Sequence, residues 1–150
     1  MPQPAREAAG AALAVALRDV LMSADRVAGY TALRSEPPTA FALELCRNVL
    51  LPVLLPDRDL DWAAADGTLL GPDAIAGCDV VLVPALAVDS NGNRLGRGGG
   101  SYDRALRRAR GLTIAVLYDG ELADELPAEP HDVAVGAVVM PTSGLTHLPL

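Results

Sequence analysis

Lysine is missing altogether: all 12 basic residues of the 150-residue chain are arginines. That excludes a Walker A phosphate loop, which closes on a Lys-Ser or Lys-Thr pair. Aromatic residues are nearly as scarce at 3%, with one Trp and one Phe, so Leu, Val and Ala must fill the core. Cysteine is limited to Cys46 and Cys78, without metal-type spacing, which excludes a zinc site or a disulfide framework. Both lie beside apolar runs and are expected to be buried and reduced. A surplus of positive charge is absent too; the net charge of −7 argues against general nucleic-acid binding. No apolar run reaches the roughly 18–20 residues needed to cross a membrane. The start, Met1-Pro-Gln-Pro-Ala-Arg-Glu7, lacks the basic-then-apolar order of a secretory signal. The expectation is one domain, residues 1–150: a cytoplasmic monomer with neither nucleic acid nor membrane as partner.

What is present is a regular alternation of helix and strand patterns. Leu13, Leu17 and Val20-Leu21 form an apolar stripe that predicts a helix over 6–22. Arg26-Val-Ala-Gly-Tyr30 reads as a short strand. Pro37-Pro38 suits the first turn of a second helix, running on through Phe41, Leu45 and Cys46. Leu50–Leu55 has the continuous apolar pattern of a strand buried on both faces, with Pro52 and Pro56 keeping it short or near an edge. Leu60-Asp-Trp62 suits an outer strand, Trp62 being a packing residue, and Gly71-Pro72-Asp73 a helical turn. Cys78–Pro84 is the clearest central strand; Leu112–Leu117 and Val133–Met140 are two more. The pattern predicts an α/β fold, a three-layer sandwich whose mainly parallel central sheet is flanked by helices. Ligands of such sheets bind beyond the carboxyl ends of the strands.

At that end of the central strand lies Asp89-Ser-Asn-Gly-Asn-Arg-Leu-Gly-Arg-Gly-Gly-Gly-Ser-Tyr-Asp-Arg104, leading into an expected helix over Ala105–Arg110. Asn91-Gly92 is a turn dipeptide. Gly98, Gly99 and Gly100 carry no side chains, so their N–H groups can approach a ligand closely and form an anion-binding nest ahead of a helix. Arg94, Arg97 and Arg104 add full charges able to fork onto phosphate oxygens. Asp103 is the one acid among them, a natural magnesium ligand beside a polyphosphate. A dinucleotide fingerprint does not fit, because Ser101 occupies the place of its third glycine.

Val83-Pro84-Ala-Leu-Ala-Val-Asp89 followed by Gly92-Asn-Arg-Leu-Gly-Arg-Gly-Gly-Gly-Ser-Tyr-Asp-Arg104 closely resembles the signature of the 5-formyltetrahydrofolate cyclo-ligase family, also called 5,10-methenyltetrahydrofolate synthetases. The resemblance extends from about Val27 to about Leu145, with Ser101 where many members carry a tyrosine. It implies ATP as co-substrate with Mg2+, a folate substrate, and release of ADP and phosphate with the methenyl product. On that resemblance Arg94, Gly96, Arg97, Gly98, Gly99, Gly100, Ser101, Tyr102 and Arg104 are expected to hold ATP, with Arg97 and Tyr102 nearest the chemistry. Glu36, in its Glu-Pro context, and Tyr102 are expected at the folate. Asp103 and Asp132, the latter in Pro127-Ala-Glu-Pro-His-Asp132, are expected at the magnesium ion, with His131 orienting that turn.

Two family pieces are missing. Members usually open with a Lys-x-x-x-Arg helix that reaches the phosphates, for which Arg6 or Arg18 is a weak substitute. They also carry a Phe-Gly-x-x-Glu-Pro segment where Asp61–Gly71 here passes straight across. A second reading therefore stands beside the first: a shortened paralogue that keeps the ATP–magnesium cradle but has lost or altered its folate chemistry. A third is an unrelated phosphoryl-ligand enzyme on a similar frame.

Overall fold

A computed structural model describes residues 1–130 and 132–150. The chain runs α1 (Gln3–Ser23), β1 (Val27–Ala28), α2 (Ala40–Leu43), β2 (Val49–Leu54), β3 (Leu60–Ala63), a 3-10 helix (Pro72–Gly77) and β4 (Val80–Pro84). It continues through β5 (Ala87–Asp89), β6 (Arg94–Leu95), α3 (Ser101–Arg108), β7 (Leu112–Val116), β8 (Leu122–Ala123), β9 (Ala137–Met140) and β10 (Gly144–His147). Seven strands form the main sheet in the order β10-β9-β7-β4-β1-β2-β3. The inner five are parallel, and β10 and β3 close the two edges antiparallel.

Residue period builds the two cores. Along β4, Val80 and Leu82 face α1 and join Leu13, Leu17 and Leu21, while Val81 and Val83 face α3 and join Trp62, Ile75 and Leu106. Each residue of this strand is apolar because both faces are covered. Helices on both sides of the sheet make the expected three-layer α/β sandwich. Trp62 is fully buried in the α3-side core, a packing residue as expected.

Local departures have physical causes. The second helix, expected from Pro37 to Cys46, is only one turn, Ala40–Leu43. With so little helix above it, β2 is not buried on both faces: Leu50 is buried, but Leu51, Val53 and Leu54 are exposed. The helix expected over 105–110 begins earlier, at Ser101, and stops at Arg108. Ala109 is already extended, and Gly111 then packs closely on the backbone of Cys78 and Asp79, where a Cβ would collide. The last parallel strand spans only Ala137–Met140, and β10 returns alongside it. Cys78 is buried as expected, whereas Cys46 is half-buried; burial pushes both thiols up to about 11.

A second sheet, β6-β5-β8, stands at the carboxyl end of β4. Its strands are two or three residues long, too short to show a period in the sequence.

Candidate active site

Beyond the carboxyl ends of β1, β2 and β4 lies a cavity of about 390 Å³. One wall comes from the segment after β1, with Tyr30, Thr31, Leu33 and Glu36; the other is the glycine loop from Arg94 to Asp103. Pro52, within β2, and Pro84, the last residue of β4, also line it.

The loop conformation follows from its glycines. Gly98, Gly99 and Gly100 take φ of 93°, 83° and 73°, a run of left-handed backbone open only to glycine at ordinary cost. A Cβ added to Gly98 or Gly100 would meet nothing within 4 Å, so it is not packing that demands glycine there. Gly100 caps α3 without a side-chain hydrogen bond, so the cap supplies no side-chain partner for the first N–H groups of the helix. Beneath the loop, Arg94 is almost wholly buried, its side chain 7% exposed. One of its Nη atoms donates to the Pro84 carbonyl at 3.0 Å, and the other lies 3.5 Å from Asp103 Oδ1. Its guanidinium also lies over the Tyr102 ring, 5.8 Å from the centroid. Burial holds the Arg94 pKa below its ordinary value, opposed chiefly by the Asp103 charge.

Glu36 is held from three directions. Its Oε1 accepts from the Leu33 N–H at 2.7 Å, while its main-chain carbonyl accepts from Arg6 Nη2 at 3.0 Å and from the Tyr118 hydroxyl at 3.2 Å. Arg97, half-exposed on the glycine loop, reaches across: its Nη2 donates to Ser35 Oγ at 2.8 Å and its Nε stands 3.7 Å from Glu36 Oε2. That one arginine ties the two walls together.

Several donors facing this site have no partner. The buried hydroxyls of Tyr30 and Tyr102 and the Nε of Arg94 make no hydrogen bond. Burial raises both phenol pKa values, with the Glu36 carboxylate adding to each, so both hydroxyls keep their protons at neutral pH. Native structures seldom leave buried donors orphaned, and three around one cavity fit a ligand rich in acceptor oxygens.

Not every expected residue lies in the cavity wall. Gly96, Arg97, Gly98, Gly100, Ser101, Tyr102, Asp103 and Arg94 line it, as does Glu36. Gly99 sits on the outer side of the loop, and Arg104 points away to donate to the Asp57 carbonyl. Asp132 is not a lining residue; its Oδ2 accepts from the Glu129 N–H at 2.8 Å, yet its charge is near enough to act on Arg94. His131 lies outside the described residues. Arg6 serves the carbonyls of Leu33 and Glu36, and Arg18 is exposed on α1, so neither faces the glycine loop. Tyr30 and Thr31 were missed by the sequence reading, although their place just after a strand ending at the site edge was a usable signal.

The fit to a magnesium ion can be tested on these groups. Among the described residues no cluster of three Asp, Glu, His or Cys side chains could hold an ion unaided. Asp103 is partly exposed beside the loop, and among the described residues its carboxylate has the 3.5 Å contact to Arg94. A carboxylate so placed suits an ion that takes most of its ligands from phosphate oxygens and water.

Fold and site together define an α/β protein whose glycine loop faces a buried carboxylate across one cavity. The profile of the 5-formyltetrahydrofolate cyclo-ligase family matches residues 1–141, and the chain belongs to that family. A 5-formyltetrahydrofolate cyclo-ligase of Mycolicibacterium smegmatis is 40% identical over 174 aligned positions, covering 99% of this chain and 90% of the relative. The alignment is longer than this chain, so it opens gaps within it, in keeping with a shortened member. The Escherichia coli K12 cyclo-ligase is 39% identical over 67 residues, 43% of this chain and 37% of the relative. Among solved structures, a 5,10-methenyltetrahydrofolate synthetase from Aquifex aeolicus superposes with a TM-score of 0.81 at 22% identity, covering 99% of this chain and 85% of that one. One from Mycoplasma pneumoniae superposes with a TM-score of 0.77 at 20% identity, covering 92% and 88%. These two establish the shared fold.

Proposed function

We propose that the protein converts 5-formyltetrahydrofolate to 5,10-methenyltetrahydrofolate with consumption of ATP in the presence of Mg2+. The observation that carries this reading is the shared cavity: a loop suited to a polyphosphate and a carboxylate suited to a pterin, far apart in sequence, face the same 390 Å³.

The difficulty in the reaction is that an amide-like formyl oxygen is a poor leaving group. Transfer of the γ-phosphoryl group to that oxygen releases ADP and turns the oxygen into a phosphate ester. N10 then attacks the formyl carbon, the C–O bond breaks, inorganic phosphate departs, and loss of the N10 proton leaves the cyclic methenyl product. No protein nucleophile enters, so catalysis consists of positioning and charge neutralisation. The N–H groups of Gly98 to Ser101, with Arg97, would hold the phosphates. Arg94 would lie beneath them, and Tyr102, whose hydroxyl is unpaired, would donate to an oxygen of the reacting groups. Glu36 would accept from the aminopyrimidine edge of the pterin, a donor-rich partner for a carboxylate already fixed in place. Asp103 would hold the magnesium ion with phosphate oxygens, and Asp132 is assigned as its second carboxylate. The ion supplies neutralisation of phosphate charge. Arg104, turned to the Asp57 carbonyl, is given no phosphate contact. A monomer in the cytoplasm is the setting assigned to it.

The test is appearance of the methenyl absorbance band with purified protein, 5-formyltetrahydrofolate and Mg-ATP, alongside Asp103→Ala. Product from the wild type and a loss of at least about 100-fold in the variant is expected, within the range seen when one transition-state contact is removed. Absence of product with magnesium-dependent ATP binding retained would replace this reading with that of the shortened paralogue.

A further inference from the structure

The turn between β2 and β3 contains the single non-glycine residue with positive φ among the described residues: Arg58, at 71°. The turn closes with the Arg58 N–H donating to the Leu55 carbonyl at 2.9 Å, and the Leu55 N–H donating to the Asp59 carbonyl at 2.9 Å. Pro56 sits at the second place, where its fixed φ belongs. The residue after such a turn must enter the left-handed region, and in hairpins that residue is usually glycine. Arginine there carries a backbone strain that glycine would not. A costly residue at a position that glycine fills freely directs attention to its side chain.

That side chain reaches the glycine loop. Arg58 Nη1 stands 3.3 Å from the place where a Cβ on Gly99 would lie. Gly99 therefore does more than turn: a side chain there would crowd the guanidinium away from the loop. Arg58 is exposed and forms no ion pair among the described residues. Its neighbours are otherwise engaged, since Arg104 donates to the Asp57 carbonyl and Arg108 pairs with Asp59 at 2.7 and 2.8 Å. The hairpin turn is thus pinned to α3 on both sides of Arg58, and the Arg58 guanidinium, without an ion pair among the described residues, stands against the triple glycine.

We infer that Arg58 is a phosphate-binding residue of this site, presenting its guanidinium to the polyphosphate of the nucleotide from the outer side of the glycine loop. The inference rests on the nucleotide-cradle part of the proposed function and not on the folate part. In a chain without lysine it supplies, from a different element, a cation at the phosphate end of the site.

Two substitutions separate charge from backbone. Arg58→Gly removes both the charge and the strain, and Arg58→Asn removes the charge while tolerating the left-handed conformation. Titration calorimetry of the full chain with Mg-ATP and with inorganic tripolyphosphate should show both ligands weakened about 10-fold in either variant, with Arg58→Lys recovering part of the loss. The Arg58→Gly protein should melt a few degrees higher, and the KM for 5-formyltetrahydrofolate should stay unchanged. Higher melting with unaltered tripolyphosphate and ATP affinity would make Arg58 a turn residue only and overturn the inference alone. A wild-type protein that binds neither ligand would overturn the inference and the cradle together. Binding by the wild type that weakens in both variants, without methenyl product, would uphold Arg58 while sinking the folate reading.

Discussion

Two glycine turns stand a few residues apart and use glycine for opposite reasons. In the Asp89–Asn93 turn, Gly92 has φ of 89° and an added Cβ would collide with the carbonyl of Val135. The space it leaves is filled by the protein itself. Around it, buried Asp89 accepts from the N–H groups of Asn91, Asn93 and Leu126 and from the Asn93 side chain, so the turn is fully satisfied internally. In the Gly98–Gly100 loop the backbone is equally left-handed, but around Gly98 and Gly100 the space is empty and nearby donors lack partners. The first turn completes its own hydrogen bonds; the second leaves them for something else. Glycine content alone cannot separate a structural turn from a binding loop, but the occupancy of the space beside each glycine can.

The comparison breaks most sharply at Gly92. Alanine there meets both an unfavourable φ and backbone atoms that cannot move aside, so Gly92→Ala should lower unfolding free energy by about 3–5 kcal/mol, read from urea denaturation. A smaller effect attends the acid of the same turn. Burial would raise the pKa of Asp89, but its four hydrogen bonds outweigh that and hold it below the ordinary carboxylate value. A depressed folded-state pKa contributes stability that is fully present above the unfolded value near 4 and is lost as pH falls through the folded one. Stability measured from pH 6 down to 2 should therefore fall less steeply below about pH 4 in Asp89→Asn, from a lower plateau. An unchanged slope would remove Asp89 from the account. The smallest stability effect belongs to Gly98→Ala, with strain of roughly 1–2 kcal/mol and no collision. That variant should nevertheless lose Mg-ATP affinity by at least about 10-fold, since its N–H could no longer hold the nest geometry. Equal loss of stability in the two glycine variants would erase the distinction between the turns.

Much of the fold was legible because long apolar patterns are tertiary information written locally. Leu13, Leu17 and Leu21 announced α1, and the unbroken apolar run of β4 announced a strand covered on both faces. β2 carried a similar run and was misread, because burial depends on whether another element arrives above it, and α2 is too short to do so. The glycine loop, Glu36 and Asp103 were readable from a motif and its resemblance. Arg58 was not, being an ordinary arginine in a hairpin, and Tyr30 offered only its place after a strand that ends at the site edge. Their significance arises only from what the sheet order sets beside them. Arg104 shows the converse, a motif residue that hydrogen-bonds to a neighbouring turn instead of facing the cavity.

The sheet order also governs when this site can exist. Its walls follow β1 and β4, which lie side by side with Val27 opposite Val80, although β2 and β3 are interposed in the chain. A parallel pairing across so long a loop forms only after the entropy of closing that loop has been met, so it belongs among the slow contacts of folding. Until it forms, the carboxylate and the glycine loop are on separate pieces of unfinished protein. The two walls of the cavity meet only once the central strand pair has formed.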